Sequence, residues 1–372
     1  MRGARSAPAR PEIVSWYGPR LSHEIGPKSY SCVIRRTVRC VHRALLYTLN
    51  FAARQVAYGR LPTPTMRHRP CCWALMRNTA VGLLFPVGVA CAQELEPRTY
   101  SPSPVGTHFL VSSWSHLSGD VLTDSSLPIS GVRAQFNLWS LAYVSTFGFL
   151  GHTASLGIAL PFARGNVSGD VLDSATEVHR SGLGDMRLRF AFNLFGNPPL
   201  PPDAFAAHEA ATAVGTSLTI IAPTGQYVGS RLVNIGTNRW SFKPEFGVSQ
   251  TLGKWFVDGS AGVWFFTSNN EFFNGAQRTQ APLMTFQLHG GYTFRPGFWL
   301  AGDLGYTSGG RTSTNDVEAE DRQANVRYGV TVSAPIARGW STKLALSHGL
   351  VTRAGGDFTS VTLTLQYRWF DR

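Results

Sequence analysis

From Thr107 to Phe370 the chain repeats one pattern: about ten residues of alternating apolar and polar side chains, then a turn or a loop. In Asp185–Phe195, Met186, Leu188, Phe190, Phe192 and Leu194 fall on one face. Asp185, Arg187, Arg189, Ala191 and Asn193 fall on the other. The same split separates Phe286, Leu288, Gly290, Tyr292 and Phe294 from Gln287, His289 and Arg295, and Val361, Leu363, Leu365, Tyr367 and Trp369 from Thr362, Thr364, Gln366 and Arg368. Successive side chains of a strand point to opposite faces, so each segment reads as a strand with one apolar side. The pattern predicts strands near 107–118, 132–147, 152–163, 185–195, 213–223, 239–250, 254–267, 283–295, 298–307, 325–334, 340–348 and 359–370.

Three features turn the apolar side toward lipid rather than toward a soluble core. The segments match the 9–11 residues, roughly, that a tilted spanning strand needs. Charges sit inside the alternation, where a wet lumen tolerates them. The connections alternate in length. Those at Gly148–Gly151, Leu252-Gly253, Pro296-Gly297 and Ile336–Gly339 are tight, and the intervening ones are long and rich in Gly, Asn, Ser and Asp. Outer-membrane barrels have short periplasmic turns and long external loops. The link Gly196–Thr212, with Pro198, Pro199, Pro201 and Pro202, is the long exception on the turn side; it suggests a small helix on the barrel floor.

Aromatic residues mark both predicted membrane surfaces. Trp255, Phe294, Phe298, Trp340 and Trp369 lie beside short turns or the chain end, and Trp240, Phe265, Tyr306 and Tyr328 beside long loops. The fold expected is all-β: a transmembrane, antiparallel, up-and-down barrel of about twelve strands over 107–372. Its aromatic last strand is the element that barrel-assembly machinery would engage.

Charge and cysteine then divide the chain. The net charge of +12 would suggest a nucleic-acid partner, but residues 1–92 hold 14 of the 34 basic residues and only 2 of the 22 acidic ones, leaving 20 of each beyond. A nucleic-acid reading fails on that balance. Cys32, Cys40, Cys71, Cys72 and Cys91 are the five cysteines, so none lies in the predicted barrel, as suits passage through an oxidising compartment. Residues 66–92 read as a signal peptide starting at Met66 or Met76. Arg77 precedes the apolar run Ala80–Ala90, and Ala90-Cys91-Ala92 offers a cleavage site before Gln93. Acylation of Cys91 is the lesser reading, because Gly88 fits poorly before such a cysteine. Residues 1–65, rich in Arg, Ser and Pro, read as a disordered or spurious extension. Residues 93–106 are expected to form a periplasmic segment.

Several stretches resemble a family of outer-membrane proteins named for a MetA pathway of phenol degradation. They are Ser181-Gly182-Leu183-Gly184-Asp185, the run Asn234-Ile235-Gly236-Thr237-Asn238-Arg239-Trp240-Ser241-Phe242-Lys243-Pro244-Glu245, Gly262-Val263-Trp264-Phe265-Phe266 and Gly309-Gly310-Arg311. The Asn234–Glu245 run is the specific one, and the resemblance covers about 105–370, essentially the whole predicted barrel. It implies an outer-membrane barrel that passes small compounds, aromatic or hydrophobic ones included.

The polar face supplies the candidate site: Arg187, Arg189, Arg239, Lys243, Glu245, Asp258, His289, Asp303, Arg327 and Lys343, six cationic and three anionic side chains with His neutral. These residues form either a selectivity rung for a solute or a set of braces across a narrow lumen. Ser118–Leu122 and Ser168–Leu172 both read S-G-D-V-L, with Asp124 and Asp173 nearby. The spacing does not match a Ca²⁺ loop, and shared loop packing is the simpler account. For a lipid-modifying enzyme, Ser347-His348 would point to opposite faces, and His179-Arg180-Ser181 lies in a loop without an orienting group. No metal or cofactor is expected. The reading favoured is a channel for passive uptake of small solutes, with lipid around it; the alternative is a structural barrel with a plugged lumen.

Overall fold

The computed structural model describes residues 95–122, 129–171, 174–208 and 212–371. The expectations for residues 1–92, signal peptide and cleavage site included, lie outside them. The strands in chain order are β1 (Thr107–Leu122), β2 (Ile129–Phe149), β3 (His152–Val171), β4 (Ser174–Leu183), β5 (Met186–Phe195), β6 (Ala213–Ala222), β7 (Ser241–Leu252), β8 (Trp255–Phe266), β9 (Asn269–Phe272), β10 (Ala276–Gln280), β11 (Leu283–Arg295), β12 (Phe298–Gly309), β13 (Thr312–Thr314), β14 (Val317–Glu318), β15 (Gln323–Ala337), β16 (Trp340–Val351) and β17 (Gly355–Phe370).

Strands β9, β10, β13 and β14 form a small sheet in the long loops, and the others build the wall. β1 pairs with β2 on one side and with β17 on the other, and β2 pairs with β3, so the sheet closes on itself. β4 and β5 share one place: β3 pairs its loop-end half with β4 and its turn-end half with β5, across a break at Gly184-Asp185. The wall is therefore a closed twelve-stranded antiparallel barrel, at the twelve positions the alternation predicts.

At the seam, His108 Nε2 lies 2.7 Å from Asp371 Oδ1, and the Asp371 amide donates to Gly106 O at 2.9 Å. The residue that trails the aromatic C-terminus thus clasps the start of β1.

The outer face is apolar. Leu288 and Val330 are each 49 % exposed in the protein alone, whereas Asp303, His289 and Glu245 are buried on the inner side. Aromatic contacts run along the turn end, from Trp255 to Tyr292 at 4.9 Å, Tyr292 to Phe294 at 5.1 Å and Phe294 to Phe298 at 4.9 Å. This is the girdle expected at a headgroup level. At the tight turns Gly151 and Gly253 take φ of +77° and +63°, a region an L side chain enters at a cost, which is why these turns carry glycine.

Two expectations change. β3 runs for 20 residues to Val171, well past the predicted end at 163, and the 21-residue β2 that pairs with it starts at Ile129, three residues before the predicted 132 on the same loop side. Strand pairing there continues above the apolar band, where no lipid face has to be matched, so polar Gly-Ser-Asp sequence still forms ladder. Secondly, residues 95–104 are not a free periplasmic segment. They climb inside the barrel from the start of β1. The 196–212 link does contain a one-turn helix, α1 (Pro202–Ala206), and it packs under the entering segment: the Val105 amide donates to Leu200 O at 2.9 Å.

Candidate transport lumen

The segment before β1 touches wall strands on several sides of the lumen. The Tyr100 hydroxyl donates to Glu245 Oε1 at 2.9 Å and shares a 2.9 Å hydrogen bond with Ser217. Its ring lies against Gly215 and Gly247, which face each other across β6 and β7; a Cβ at Gly247 would stand 2.1 Å from that ring. The Arg98 amide donates to Asp258 Oδ2 at 2.9 Å, and its guanidinium lies 4.8 Å from the centre of the Phe256 ring and 5.9 Å from that of Trp299. The Glu96 amide donates to Gln287 Oε1 at 3.2 Å, and the Glu96 carboxylate takes Lys343 Nζ at 2.8 Å. Leu95 reaches the inward side of Gly305 and Gly329.

The ten candidate residues separate into groups. Lys243 Nζ contacts Glu245 Oε2 at 2.7 Å, and Arg189 stands 3.9 Å from Glu245 while lying over the Tyr100 ring. Glu245 is thus held by two cations and a phenol. His289 Nδ1 meets Asp303 Oδ1 at 2.7 Å, and Thr331 donates to the other Asp303 oxygen at 2.6 Å. Asp258 and Lys343 are both engaged by the segment. Arg327 donates to Ser347 Oγ at 3.0 Å, and Arg187 is half-buried on β5. Arg239 stands apart at the long-loop end, where it donates to Gln280. Charges drawn out of water need partners of opposite sign or several hydrogen bonds, and the groups around Glu245, Asp303 and Lys343 supply them.

Above Leu95 lies a small recess, lined by Gln287, Gly305, Thr307, Asn325, Arg327 and Tyr306 among others. The inner wall is not uniformly polar. Phe256, Trp264 and Trp299 are 2 %, 3 % and 8 % exposed, packed inside the barrel with Ala301, Ile221 and Leu283. Sequence alternation alone does not reveal them, because it treats every aromatic as a lipid-facing residue. The contributions of Glu96, Arg98 and Tyr100 were equally hidden, since twelve residues before a first strand carry no period. The facing glycines Gly215 and Gly247 are the signal that was present: two empty positions opposite each other leave room for a ring.

At the long-loop end, Arg278 on β10 is 3 % exposed and donates to Thr312 Oγ1 at 3.2 Å, with Asp321 Oδ2 at 4.0 Å. Burial presses the Arg239 guanidinium down to about 9, with Arg278 adding to the effect and Asp185 opposing it. Burial likewise presses Arg278 down to about 10, opposed by Asp321. Both remain cationic at neutral pH.

The catalytic pairings considered from sequence do not assemble. Ser347 Oγ bonds Ser360 and Arg327 on the lumen side, whereas the exposed His348 bonds Thr359. His179 contacts Asn166 rather than Ser181. Among the described residues no group of three His, Cys, Asp or Glu is arranged to hold a metal ion; Asp124 and Asp173 lie outside them.

The fold is shared with an outer membrane channel from Pseudomonas putida F1, at 24 % identity and a TM-score of 0.64, covering 74 % of this chain and all of that one. Weaker likenesses include the beta domain of the Bordetella autotransporter BrkA (13 % identity, TM-score 0.44, 72 % of this chain and all of that one). The CymD monoaromatic hydrocarbon channel is another, at 7 % identity and a TM-score of 0.38, covering 73 % of this chain and 90 % of that one. No curated protein matches the chain significantly. The family model described as "Putative MetA-pathway of phenol degradation" matches residues 118–369, in agreement with the resemblance carried by the Asn234–Glu245 run, and the chain belongs to that family.

Proposed function

We propose that this protein is an outer-membrane channel for passive uptake of small solutes, aromatic or hydrophobic compounds among them, with its lumen narrowed by its own residues 95–104. The observation that carries the reading is the mixed inner wall. Phe256 and Trp299, buried beneath Arg98 of the segment, and Trp264, beneath Lys243, stand beside paired charges, so a solute meets both apolar surface and fixed polar groups where the segment withdraws. Binding sites for small molecules combine these two elements. The family to which the chain belongs, and the fold it shares with a channel, agree with it.

Export by a cleaved signal peptide, and assembly through β17, belong to the same proposal. In liposome-swelling assays with a small sugar, the chain beginning at Gln93 should give measurable influx over protein-free vesicles. One observation favours a second reading, a structural barrel without transport: the segment makes contacts from β6 and β7 round to β16. That reading is supported if a folded barrel gives no influx even after residues 93–104 are deleted.

A further inference from the structure

The long connection between β6 and β7 does not behave as a surface loop. Connections normally run over the outside of a protein, yet Val233, Asn234 and Ile235 are only 7 %, 4 % and 7 % exposed. Ile235 packs with Ala134 and Phe136 of β2, Ala163 of β3 and Phe358 of β17. These wall residues face inward, since they alternate with the exposed Arg133, Gln135, Arg164 and Thr359. The loop therefore dips into the mouth of the barrel. It meets strands other than those that hold Glu96, Arg98 and Tyr100.

One carboxylate holds both arms of the loop in that position. Asp185 stands at the break between β4 and β5. Its Oδ1 accepts from the Gly225 amide at 2.8 Å, on the outgoing arm. Its Oδ2 accepts from the Thr237 amide at 2.8 Å and the Thr237 hydroxyl at 2.6 Å, on the returning arm. The arms also touch each other: the Gly236 amide donates to Gln226 O at 2.9 Å, and a Cβ at Gly236 would stand 2.7 Å from the Gly225 backbone, which is why glycine occupies this crossing. Arg180 of β4 adds a 2.8 Å hydrogen bond to Val233 O. Hydrogen bonds to a carboxylate are the stronger kind, and three on one side chain set how deep the loop sits.

We propose that residues 225–237 form the entrance constriction of the channel, with Asp185 as its positioning residue and Ile235 as the side chain that discriminates among entering solutes. The lip narrows the mouth from the β2–β3 side and is apolar. An ion or a sugar has to shed water to pass it, whereas an apolar solute does not, and hydrophobic constrictions exclude by dewetting. The inference rests on the channel reading and adds to it a determinant of solute polarity. Access to the wall beneath the lip is measured without transport.

Ser140 lies on the inner face of β2, two residues toward the turn end from Leu138, which packs against the same cluster. In the chain beginning at Gln93, Ser140→Cys is the sole cysteine. Its labelling by a cationic methanethiosulfonate and by neutral N-phenylmaleimide should be timed in lipid vesicles. Ile235→Ser should speed the cationic reagent by about tenfold or more and the neutral one by no more than about twofold. Asp185→Asn and Thr237→Val should speed both reagents, while Thr237→Ser, which keeps the hydroxyl, should match the parent. Heat-modifiability on a gel reports that each variant is folded; should Asp185→Asn lose it, Thr237→Val tests the same staple. A reagent ratio unchanged by folded Ile235→Ser, or rates unchanged by the folded staple variants, would overturn the proposal. Labelling requires no conduction, so silence in planar bilayers would remove the channel reading and leave the staple and the apolar lip to stand or fall on these rates.

Discussion

Tyr100 and Glu245 meet at 2.9 Å, a hydrogen bond that ties the segment before the barrel to a wall residue 145 positions downstream. The bond donates to a buried carboxylate already held by Lys243, so it sits within a charged cluster rather than on a free surface. Hydrogen bonds to charged groups are the stronger kind, at about 1.5–3 kcal/mol.

The seat of that ring gives the first test. A Cβ at Gly247 would stand 2.1 Å from the Tyr100 ring, and wall backbone cannot retreat as a flexible side chain does. Gly247→Val should therefore unseat residues 95–104 and leave the barrel closed. Residues 93–372 contain no cysteine, so in a chain beginning at Gln93 a Thr99→Cys reporter is unambiguous. Its labelling by a water-soluble thiol reagent should be slow alone and fast in combination with Gly247→Val. Equal rates would show that the segment is not held by this seat.

Lys243 and Glu245 are 15 % and 5 % exposed at the side chain and 2.7 Å apart. Removing one member of a buried pair strands the other charge, at a cost of about 3 kcal/mol. Lys243→Met should lower the urea midpoint of refolding in lipid vesicles, whereas an exposed pair such as Arg311 with Glu318 should be nearly silent when broken. If both changes leave the midpoint alone, Lys243 is not a brace, and its role reverts to ion preference, read from the reversal potential under a salt gradient.

The wall faces are tested at adjacent residues. Leu288 is 49 % exposed on the lipid side, where an Arg at midplane costs about 2–4 kcal/mol. Gln287 points inward and accepts from the Glu96 amide. Leu288→Arg should depress folding yield, while Gln287→Arg should fold and loosen the segment. Equal yields would contradict the assigned faces.

A chain that begins near Gln93 places two residues ahead of Leu95, which already touches inward-facing Gly305 and Gly329. Intact-mass measurement of outer-membrane material should therefore find a species starting at or near Gln93. Material that retains residues 1–65 would contradict both the cleavage site and the seating of the segment.

The barrel was legible in the sequence because a lipid-facing strand must alternate, and every strand pays that constraint. Leu288 and His289, or Leu304 and Asp303, announce their faces by contrast alone. The extension of β3 beyond 163 was not legible, since ladder outside the lipid needs no apolar side. The inward Trp264 and Trp299 were hidden because they obey packing against Lys243 and Arg98 rather than the lipid rule. Within the site, the inward placement of Glu245, Asp258, His289 and Asp303 followed from period, but their partners did not. Pairing across a lumen joins residues with no fixed sequence separation, as between Glu96 and Lys343. Arg278 and Asp321 come from loops, where sequence carries no period to read.

The account rests most directly on single-channel conductance in planar bilayers, compared between the chain starting at Gln93 and one lacking residues 93–104. Removing the segment takes the Tyr100 ring and the Arg98 and Glu96 contacts out of the lumen while leaving every wall strand in place. Small stepwise openings in the first and distinctly larger ones in the second are predicted, with both proteins heat-modifiable. Silence from two folded barrels, or the same step size in each, would contradict a channel narrowed by its own N-terminal segment.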